Sequence, residues 1–284
     1  MTEIANFGAL PPEYASAEDA RIALIPVPYD GTSTWVKGAD RGPRAIVEAS
    51  ANLEFYDIET DSEVFRQGIF TDAAIDAGPS PEDMVAAVEQ RVSQHLAREK
   101  FAVVIGGEHS VSIGAARAHA AHFPDVTVLQ LDAHSDLREE YEGSRLNHAC
   151  VMARIRESCP IVQVGIRSMD ISEKPSVDED RIFFAKDIAG RTEWVGRVID
   201  RLTENVYVTI DLDVFDPAVV PATGTPEPGG LLWYEVMRLL RRVCCERTVV
   251  GFDVVELCPV AGHWASDFLA AKLIYQLLSY RFGT

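Results

Sequence analysis

The sequence has 284 residues, of which 47% are hydrophobic and 25% are charged, and its formal net charge at pH 7 is −18. A chain of this length can bury a sizeable core, as one large domain or two small ones. The acidity argues against a nucleic-acid-binding protein, because neutralising phosphates requires clustered lysine and arginine. It fits a cationic ligand, whose approach a negative field assists, and it fits equally well a surface adapted to solubility in a salt-rich cell.

No apolar run of transmembrane length is present, and the first residues, MTEIA, lack the basic and apolar regions of a signal peptide. We therefore expect a soluble, cytoplasmic protein that has no membrane partner. The five cysteines are an odd number without CxxC spacing, which argues against a disulfide framework and a zinc–thiolate site. The adjacent pair Cys244 and Cys245 lies in an apolar segment and is expected to belong to the core.

Apolar strands and helices alternate in the first half of the chain. The predicted strands are 22–27, 68–71, 101–105 and 126–131, and the predicted helices are 43–53, 81–99 and 111–122. The second of these helices has the clearest start, because Ser80 is suited to the N-cap and Pro81 to the first helical position. Turn-forming residues at 28–33 and 37–44 predict loops after the first strand.

The second half of the chain continues the alternation. The predicted strands are 161–166, 181–185, 206–212 and 249–255, and the predicted helices are 147–157, 194–202, 232–245 and 264–278. A long loop rich in proline and glycine spans 217–230. Strands that are apolar on both faces indicate a parallel sheet covered by helices on each side, an α/β fold of about eight strands.

No linker, repeat or low-complexity tract divides the sequence, so we expect a single domain over residues 1–284. A closed (β/α)8 barrel has the same number of strands. The weak second strand and the unequal lengths of the strand–helix units favour an open sheet.

Three potential metal ligands, Asp132, His134 and Asp136, follow the strand at 126–131. In extended chain, residues two apart point to the same side, so the three side chains can converge just beyond the strand. Carboxylates and imidazole together suit a divalent cation. Taken alone, such a triplet is as readily explained by an acidic surface loop.

Other strand ends supply further ligands to the same edge of the sheet, where open parallel sheets bind their ligands. His109 follows a strand through a Gly-Gly turn, Asp211 and Asp213 close another strand, and Glu256 follows the last one. Asp253 lies inside that last strand and is expected to be structural.

Two histidines and four aspartates are more than one tetrahedral ion requires. The six predicted ligands are His109, Asp132, His134, Asp136, Asp211 and Asp213. With bridging carboxylates they predict a dinuclear site, and the hard oxygen donors favour Mn²⁺ over Zn²⁺, Fe²⁺ or Co²⁺.

The segments that carry these residues resemble the signatures of the ureohydrolase family of arginases and agmatinases. They are GGEHS, LDAHSDLR, TIDLDVFDP and PATGTPEPGG. The segments PYDGTSTWVKGADRGPRAI and EYEGSRLNHACVMARI resemble the agmatinase branch, and the similarity extends over nearly the whole chain from about Arg21. The resemblance implies a three-layer α/β/α sandwich on an eight-stranded parallel sheet, two Mn²⁺ per subunit, and a homo-oligomer, either a trimer or a hexamer.

The resemblance also implies a role for each site residue. One ion would be held by His109, Asp132, Asp136 and Asp211, and the other by His134, Asp132, Asp211 and Asp213. Asp132 and Asp211 would therefore bridge the ions.

The expected reaction is attack of a metal-bridged hydroxide on the guanidinium carbon, which gives urea and an amine. Asp136 would orient the hydroxide, and Glu256 would bind the guanidinium as a matching planar fork. Thr225 would steady Glu256, and His148 would carry a proton to the leaving amine.

The loop at 138–147 is expected to border the guanidino pocket, and it resembles the agmatinase version of this loop. Agmatine, cleaved to urea and putrescine in polyamine biosynthesis, is therefore the expected substrate. Guanidinobutyrate, aminopropylagmatine and arginine are alternatives. One departure from the family is the segment CPVAGHW after Glu256, which lacks an acidic residue associated with many relatives and concerns the outer pocket or subunit contacts.

Three other classes of function are weaker explanations of the same residues. A dinuclear phosphohydrolase would need cationic side chains near the ligands, for which Arg138 and Arg167 are the candidates. A deacetylase-type protein of similar fold would use a single Zn²⁺, and a binding or regulatory protein would not need His148 and Glu256 as well.

Overall fold

The computed structural model describes residues 6–283. Eight strands form one parallel sheet in the order β2-β1-β3-β8-β7-β4-β5-β6. The strands are β1 Ile22–Val27, β2 Ile69–Thr71, β3 Phe101–Gly106, β4 Thr127–Leu131, β5 Ile161–Ile166, β6 Ile182–Phe184, β7 Asn205–Asp211 and β8 Thr248–Val255. The sheet is open, with β2 and β6 at its edges, so the α/β prediction is confirmed and the closed barrel is excluded.

Helices cover both faces of the sheet. They are α1 Gly42–Ser50, α2 Pro81–Leu96, α3 Val111–His122, α4 Val151–Ile155, α5 Ala185–Ile188, α6 Trp194–Ile199, α7 Trp233–Glu246 and α8 Ala265–Phe282. Residues of α1, α6, α7 and α8 pack in one hydrophobic cluster, and residues of α2, α3 and α4 pack in another on the opposite face. The architecture is the three-layer α/β/α sandwich.

Helix α2 shows how local sequence produces these elements. The Ser80 side chain accepts a hydrogen bond from the backbone N–H of Asp83 at 3.1 Å and so satisfies a free donor of the first turn. Its predicted apolar face is buried. The helix ends at Leu96, earlier than predicted, and Glu99 adopts a left-handed φ of 58° that is incompatible with a continued helix.

Two expectations need correction. The helix predicted over 147–157 is only the short α4, preceded by a separate 3₁₀ turn, because Asn147 caps that turn through the N–H of Ala149. The cysteine pair is not wholly in the core, since Cys244 is partly buried and Cys245 is exposed. Adjacent residues on a helix point about 100° apart, so both cannot face the sheet.

The sheet order brings the predicted site residues together. The strands that end in them, β3, β8, β7 and β4, are the four central strands of the sheet. β3 and β4 are consecutive in the chain, but β8 and β7 lie between them in the sheet. In open α/β sheets, ligands bind where the strand order changes in this way. None of the helices within residues 6–283 is both long and apolar enough to span a membrane.

Candidate metal centre

The loop after β4 carries three of the predicted ligands. Asp132 is fully buried, and its Oδ1 accepts a hydrogen bond from the backbone N–H of His134 at 2.6 Å. Gln130, a polar residue inside the strand, donates from Nε2 to Asp132 Oδ2 at 2.7 Å. Asp136 has a φ of 51°, a conformation that is rare outside glycine and that clusters at functional sites.

The buried carboxylate of Glu173 supports the loop after β4. Glu173 is 3% exposed and accepts hydrogen bonds from the hydroxyl of Ser135 at 2.7 Å and the backbone N–H of Leu137 at 2.8 Å. Both donors flank Asp136. Glu173 therefore holds the backbone on each side of that predicted ligand, a role that the sequence alone did not indicate.

His109 lies at the end of β3, where its ring meets three carboxylates. Its Nδ1 is 3.1 Å from Asp132 Oδ2, 3.0 Å from Asp136 Oδ2 and 3.5 Å from Asp211 Oδ2. Nevertheless, this buried nitrogen makes no hydrogen bond to any of residues 6–283. A nitrogen directed at several carboxylate oxygens without hydrogen-bonding to them is the arrangement expected of a metal ligand.

The opposite nitrogen of His109 explains the orientation of the ring. Nε2 lies 2.9 Å from the hydroxyl of Thr209, and that hydroxyl donates to Asp253 Oδ1 at 2.7 Å. Because the threonine proton is directed to Asp253, the proton between His109 and Thr209 is on Nε2. In the neutral imidazole, Nδ1 then carries the lone pair, as metal ligation requires. Asp253, expected to be structural, supports the site through Thr209.

A second group of ligands lies beside the first and shares Asp132. Here His134 Nδ1 is 2.8 Å from Asp213 Oδ2 and 3.6 Å from Asp132 Oδ1. Asp213 also accepts from the N–H of Ala133 at 2.9 Å, and its own N–H donates to Asp211 Oδ1 at 2.8 Å. Within residues 6–283, two clusters could each hold an ion: one consists of His109, Asp132 and Asp211, and the other of Asp132, His134 and Asp213.

The clustered carboxylates strongly perturb one another. Burial raises the pKa of the Asp211 carboxyl well above its usual value, and Asp213 and Asp132 raise it further. Burial and the charge of Asp132 raise the pKa of Asp136 to about 7. For His109, burial acts to lower the pKa, but the carboxylates of Asp132 and Asp136 outweigh it and raise the pKa well above the usual value.

So many buried carboxylates in one place need positive charge to offset their mutual repulsion and desolvation. The unpartnered Nδ1 of His109, the shared Asp132 and the mixed oxygen and nitrogen donors fit a pair of divalent cations. The prediction of a dinuclear site is therefore supported by the geometry, while the identity of the metal stays a prediction.

Glu256, from the end of β8, also has a left-handed backbone, with a φ of 65°. Its N–H donates to the carbonyl of Gly107 at 2.7 Å, and its Oε1 accepts from the N–H of His109 at 2.7 Å. The β3 and β8 loops are thereby tied together. Oε2 faces the pocket wall near Gly224. Burial, with Glu108 adding to it, raises the pKa of the Glu256 carboxyl well above its usual value.

The metal centre lies at the base of a cavity of about 320 Å³. Besides five of the six predicted ligands, its wall includes Trp35, Arg138, Tyr141, His148, Met169, Asp170, Thr225 and Glu256. The loop at 138–147 therefore borders the pocket as expected. Thr225 lies on the wall but makes no hydrogen bond to Glu256 within the part of the chain described, so its role stays a prediction.

His148 begins the short turn before α4, and its ring lies on the pocket wall. Burial, together with the nearby His134 and His109, lowers the pKa of His148 to about 4. The ring is approached edge-on by Tyr141, with 6.0 Å between ring centroids. Its Nδ1 lies 3.2 Å from the hydroxyl of Thr32.

The structure also reveals supporting residues that the sequence interpretation missed. Thr209 and Gln130 are fully buried polar residues within mostly apolar strands, and that interruption was a usable signal. Glu173 and Thr32 reach the site from distant segments and carried no such signal.

Comparison with known proteins agrees with this geometry. Residues 20–279 match the model of the family described as "Arginase family". The chain belongs to the arginase family. It is 40% identical over 276 residues to an N(1)-aminopropylagmatine ureohydrolase from Synechocystis, covering 93% of this chain and 90% of that protein. It is 33% identical over 270 residues to an agmatinase from Pyrococcus horikoshii, covering 92% of each.

Solved structures of this family share the fold. The crystal structure of agmatine ureohydrolase of Thermoplasma volcanium has a TM-score of 0.86 and 32% identity, covering 100% of this chain and 95% of that one. The predicted resemblance to the ureohydrolases, and with it the prediction of an agmatinase-like hydrolase, is confirmed.

Proposed function

We propose that this arginase-family enzyme hydrolyses the guanidino group of agmatine or of its aminopropyl derivative, releasing urea and an amine. The observation that carries the proposal is the pair of ligand clusters sharing Asp132 at the base of a pocket lined by His148 and Glu256. A planar cation fits a cavity whose base is rich in carboxylates, and the net charge of −18 favours its approach.

The six predicted ligands would hold two divalent cations, for which Mn²⁺ is the proposed identity. When bound, such a pair supplies Lewis acidity that activates water for attack on a carbon centre. Glu256 would bind the guanidinium through Oε2, since its Oε1 is occupied by the N–H of His109. His148 would move a proton at Nε2, which makes no hydrogen bond within residues 6–283, and Asp136 would orient the attacking water.

The relatives favour N(1)-aminopropylagmatine over agmatine. Proteins from Synechocystis and Thermus thermophilus that carry the aminopropylagmatine name are 40% and 36% identical to this chain, against 33% for the agmatinase. The mouth of the pocket adds an argument, because the exposed Trp35 offers an apolar surface there to a longer alkyl chain. Agmatine, the substrate expected from the sequence, is the second candidate.

A phosphohydrolase is not favoured, because both candidate arginines are engaged elsewhere. Arg167 donates to backbone carbonyls, including those of Asp213 at 2.6 Å and Glu227 at 2.8 Å. The Arg138 guanidinium lies 4.7 Å from the centre of the Tyr141 ring and 3.5 Å from Asp170 Oδ2. Neither is directed at the metal centre as a phosphate clamp.

The proposal is tested by measuring urea release from a panel of guanidino compounds, with and without added Mn²⁺. The panel contains agmatine, N(1)-aminopropylagmatine, guanidinobutyrate and arginine, with p-nitrophenyl phosphate as the phosphatase control. We expect metal-dependent urea release, with the highest kcat/KM for one of the two agmatine-type amines. A preference for arginine or guanidinobutyrate, or phosphatase activity without urea, would overturn it.

Cytoplasmic location, a single domain and assembly into a trimer or hexamer remain predictions. Size-exclusion chromatography with light scattering tests the assembly directly, and a monomeric mass would contradict it.

A further inference from the structure

A chain of hydrogen bonds connects the buried carboxylate of Glu108 to the ring of His148. The Thr32 hydroxyl lies 2.9 Å from Glu108 Oε2 and 3.2 Å from His148 Nδ1. The same hydroxyl oxygen also accepts the backbone N–H of His148 at 3.0 Å. One threonine thus contacts both the backbone and the ring of His148, the proposed proton carrier.

The bonds to Glu108 determine the direction of the chain. Glu108 is fully buried, and both of its oxygens are acceptors: Oε1 accepts from the hydroxyl of Ser110 at 2.7 Å, and Oε2 accepts from the backbone N–H of Ser110 at 3.3 Å. The Thr32 hydroxyl donates its single proton to Oε2. The ring nitrogen Nδ1 of His148 must then carry the proton that it shares with Thr32, and Nε2 is left with a free lone pair.

Close packing between the loops after β1 and β3 brings Thr32 next to Glu108. Gly107 packs so closely on the loop after β1 that a Cβ atom there would lie 2.0 Å from the carbonyl oxygen of Tyr29. The N–H of Glu108 donates to that same carbonyl at 2.9 Å. The approach is open only to glycine, and it places the Glu108 carboxylate beside Thr32.

We propose that Thr32 and Glu108 are positioning residues that hold His148 as the Nδ1–H tautomer, with Nε2 directed at the leaving nitrogen. The inference rests on the proposed hydrolysis for its kinetic consequence, although the tautomer itself is a property of the protein alone. We expect neither Thr32 nor Glu108 to contact the substrate.

The proton balance of the reaction shows why the tautomer matters. Water adds to the guanidinium carbon, the bond from that carbon to the alkyl-bearing nitrogen breaks, and urea leaves with the water oxygen. The leaving nitrogen begins with one hydrogen and ends as an ammonium with three, so both water protons reach it. His148 moves one of them through Nε2, and only a ring whose Nε2 starts unprotonated can accept it and pass it on.

The direct test is the nitrogen and proton NMR of His148 at pH 8, where an unperturbed imidazole is neutral. The protein is ¹⁵N-labelled and loaded with diamagnetic Mg²⁺, and the resonance is assigned by its loss in His148→Gln. We expect the Nδ1–H tautomer in the wild type. In Thr32→Val we expect the preference for the Nδ1–H tautomer to be lost. In Glu108→Gln we expect a shift towards the Nε2–H tautomer, because the glutamine amide can donate a hydrogen bond to Thr32. A wild-type Nε2–H tautomer would overturn the proposal.

The kinetic test compares Thr32→Val with Thr32→Ser, which keeps the hydroxyl. General acid–base catalysis contributes about 10²–10⁴-fold, so partial misorientation should lower kcat about 10–100-fold in Thr32→Val while KM stays within about twofold. Thr32→Ser should recover most of the activity. The double variant Thr32→Val/His148→Ala should be no slower than His148→Ala alone. Additive losses would instead show that Thr32 acts independently of His148.

Thr60→Val is the matched control, because Thr60 also donates its hydroxyl to a buried carboxylate, Asp57 Oδ1, at 2.9 Å. It should change thermal stability at most, without changing kcat. Should Thr32→Val fail to fold, Glu108→Gln and Thr32→Ser still test the chain. If no guanidino compound is hydrolysed, the proposed function fails, while the NMR result continues to support or refute the tautomer.

Discussion

Two buried histidines ten residues apart show what distinguishes a functional region of this molecule from a structural one. His109 and His119 are both at most 1% exposed, and each has one ring nitrogen without a hydrogen-bond partner in the described part of the chain. His109 lies at the carboxyl end of β3, among carboxylates. His119 lies within α3, where Nδ1 donates to the carbonyl of Ala115 at 2.8 Å and the ring packs against Tyr207 with 4.4 Å between centroids.

The surroundings move the two pKa values in opposite directions. Burial alone dominates at His119 and lowers its pKa to about 4, so the ring remains neutral. At His109, nearby carboxylates outweigh burial and raise the pKa. Burial and an unpartnered nitrogen are therefore common to both sites, and the carboxylates that surround the nitrogen decide which one is suited to hold a cation.

The largest effect is expected from Asp211→Asn at the metal centre. The asparagine can keep the oxygen that accepts from the N–H of Asp213, but it removes a charge needed by the ions. We expect urea release to fall by far more than the roughly 100-fold that is typical for loss of a supporting residue. The metal-free variant should unfold at the same temperature as wild type or higher, because a buried, repelled carboxylate is gone. Metal content near wild type would contradict the ligand assignment.

The next effect is expected from Thr209→Val, which removes the acceptor for His109 Nε2. Loss of such a supporting hydrogen bond typically weakens metal affinity by about 10–100-fold. Calorimetric titration of the metal-free protein with Mn²⁺ measures this change without reference to catalysis. Thr209→Ser is the control and should bind almost as tightly as wild type. Equal affinity in Thr209→Val would show that the Thr209–Asp253 chain does not support the ligand.

A smaller effect, on stability alone, is expected at the His119 site. A Cβ atom at Gly251 would lie 2.2 Å from His119 Nε2 and 3.0 Å from the carbonyl oxygen of Ala102. Gly251→Ala should therefore destabilise the fold by about 1–3 kcal/mol in urea denaturation, as overpacking does. The control is Gly196→Ala in α6, where the nearest atom to a Cβ is 3.9 Å away and alanine favours the helix. Metal affinity that fell along with stability would contradict the separation of the two regions.

The smallest effect is the contribution of His119 to stability in acid. Its pKa is about 4 when folded, against about 6.5 when unfolded, so the unfolded state binds the extra proton first as pH falls. The folded state is thereby destabilised from about pH 6.5 down towards pH 4, by on the order of 1 kcal/mol at pH 5.5. Urea denaturation of wild type and His119→Leu across this range should show a flatter acid limb in the variant. Parallel curves would refute the assignment.

Much of the metal centre was predictable from the sequence because its ligands belong to local patterns. Asp132, His134 and Asp136 recur at intervals of two after a strand, and so do Asp211 and Asp213. Parallel strands end at one edge of a sheet, so these residues were expected at the same edge. The alternation of helices with strands that are apolar on both faces likewise predicted the layers of the fold. The boundaries of short helices such as α4 depended on capping and were predicted less well.

Only the tertiary structure decided how the predicted ligands and the proposed proton carrier, His148, are held. Thr32 lies 116 residues from His148 in the chain, and Thr209 lies 100 residues from His109. These contacts depend on strand order and on the close packing of Gly107 against Tyr29, neither of which leaves a periodic signal. The sequence at the end of each strand is enough to identify a candidate ligand. The orientation of that ligand's side chain is set by hydrogen bonds from segments that become neighbours only after the sheet has formed.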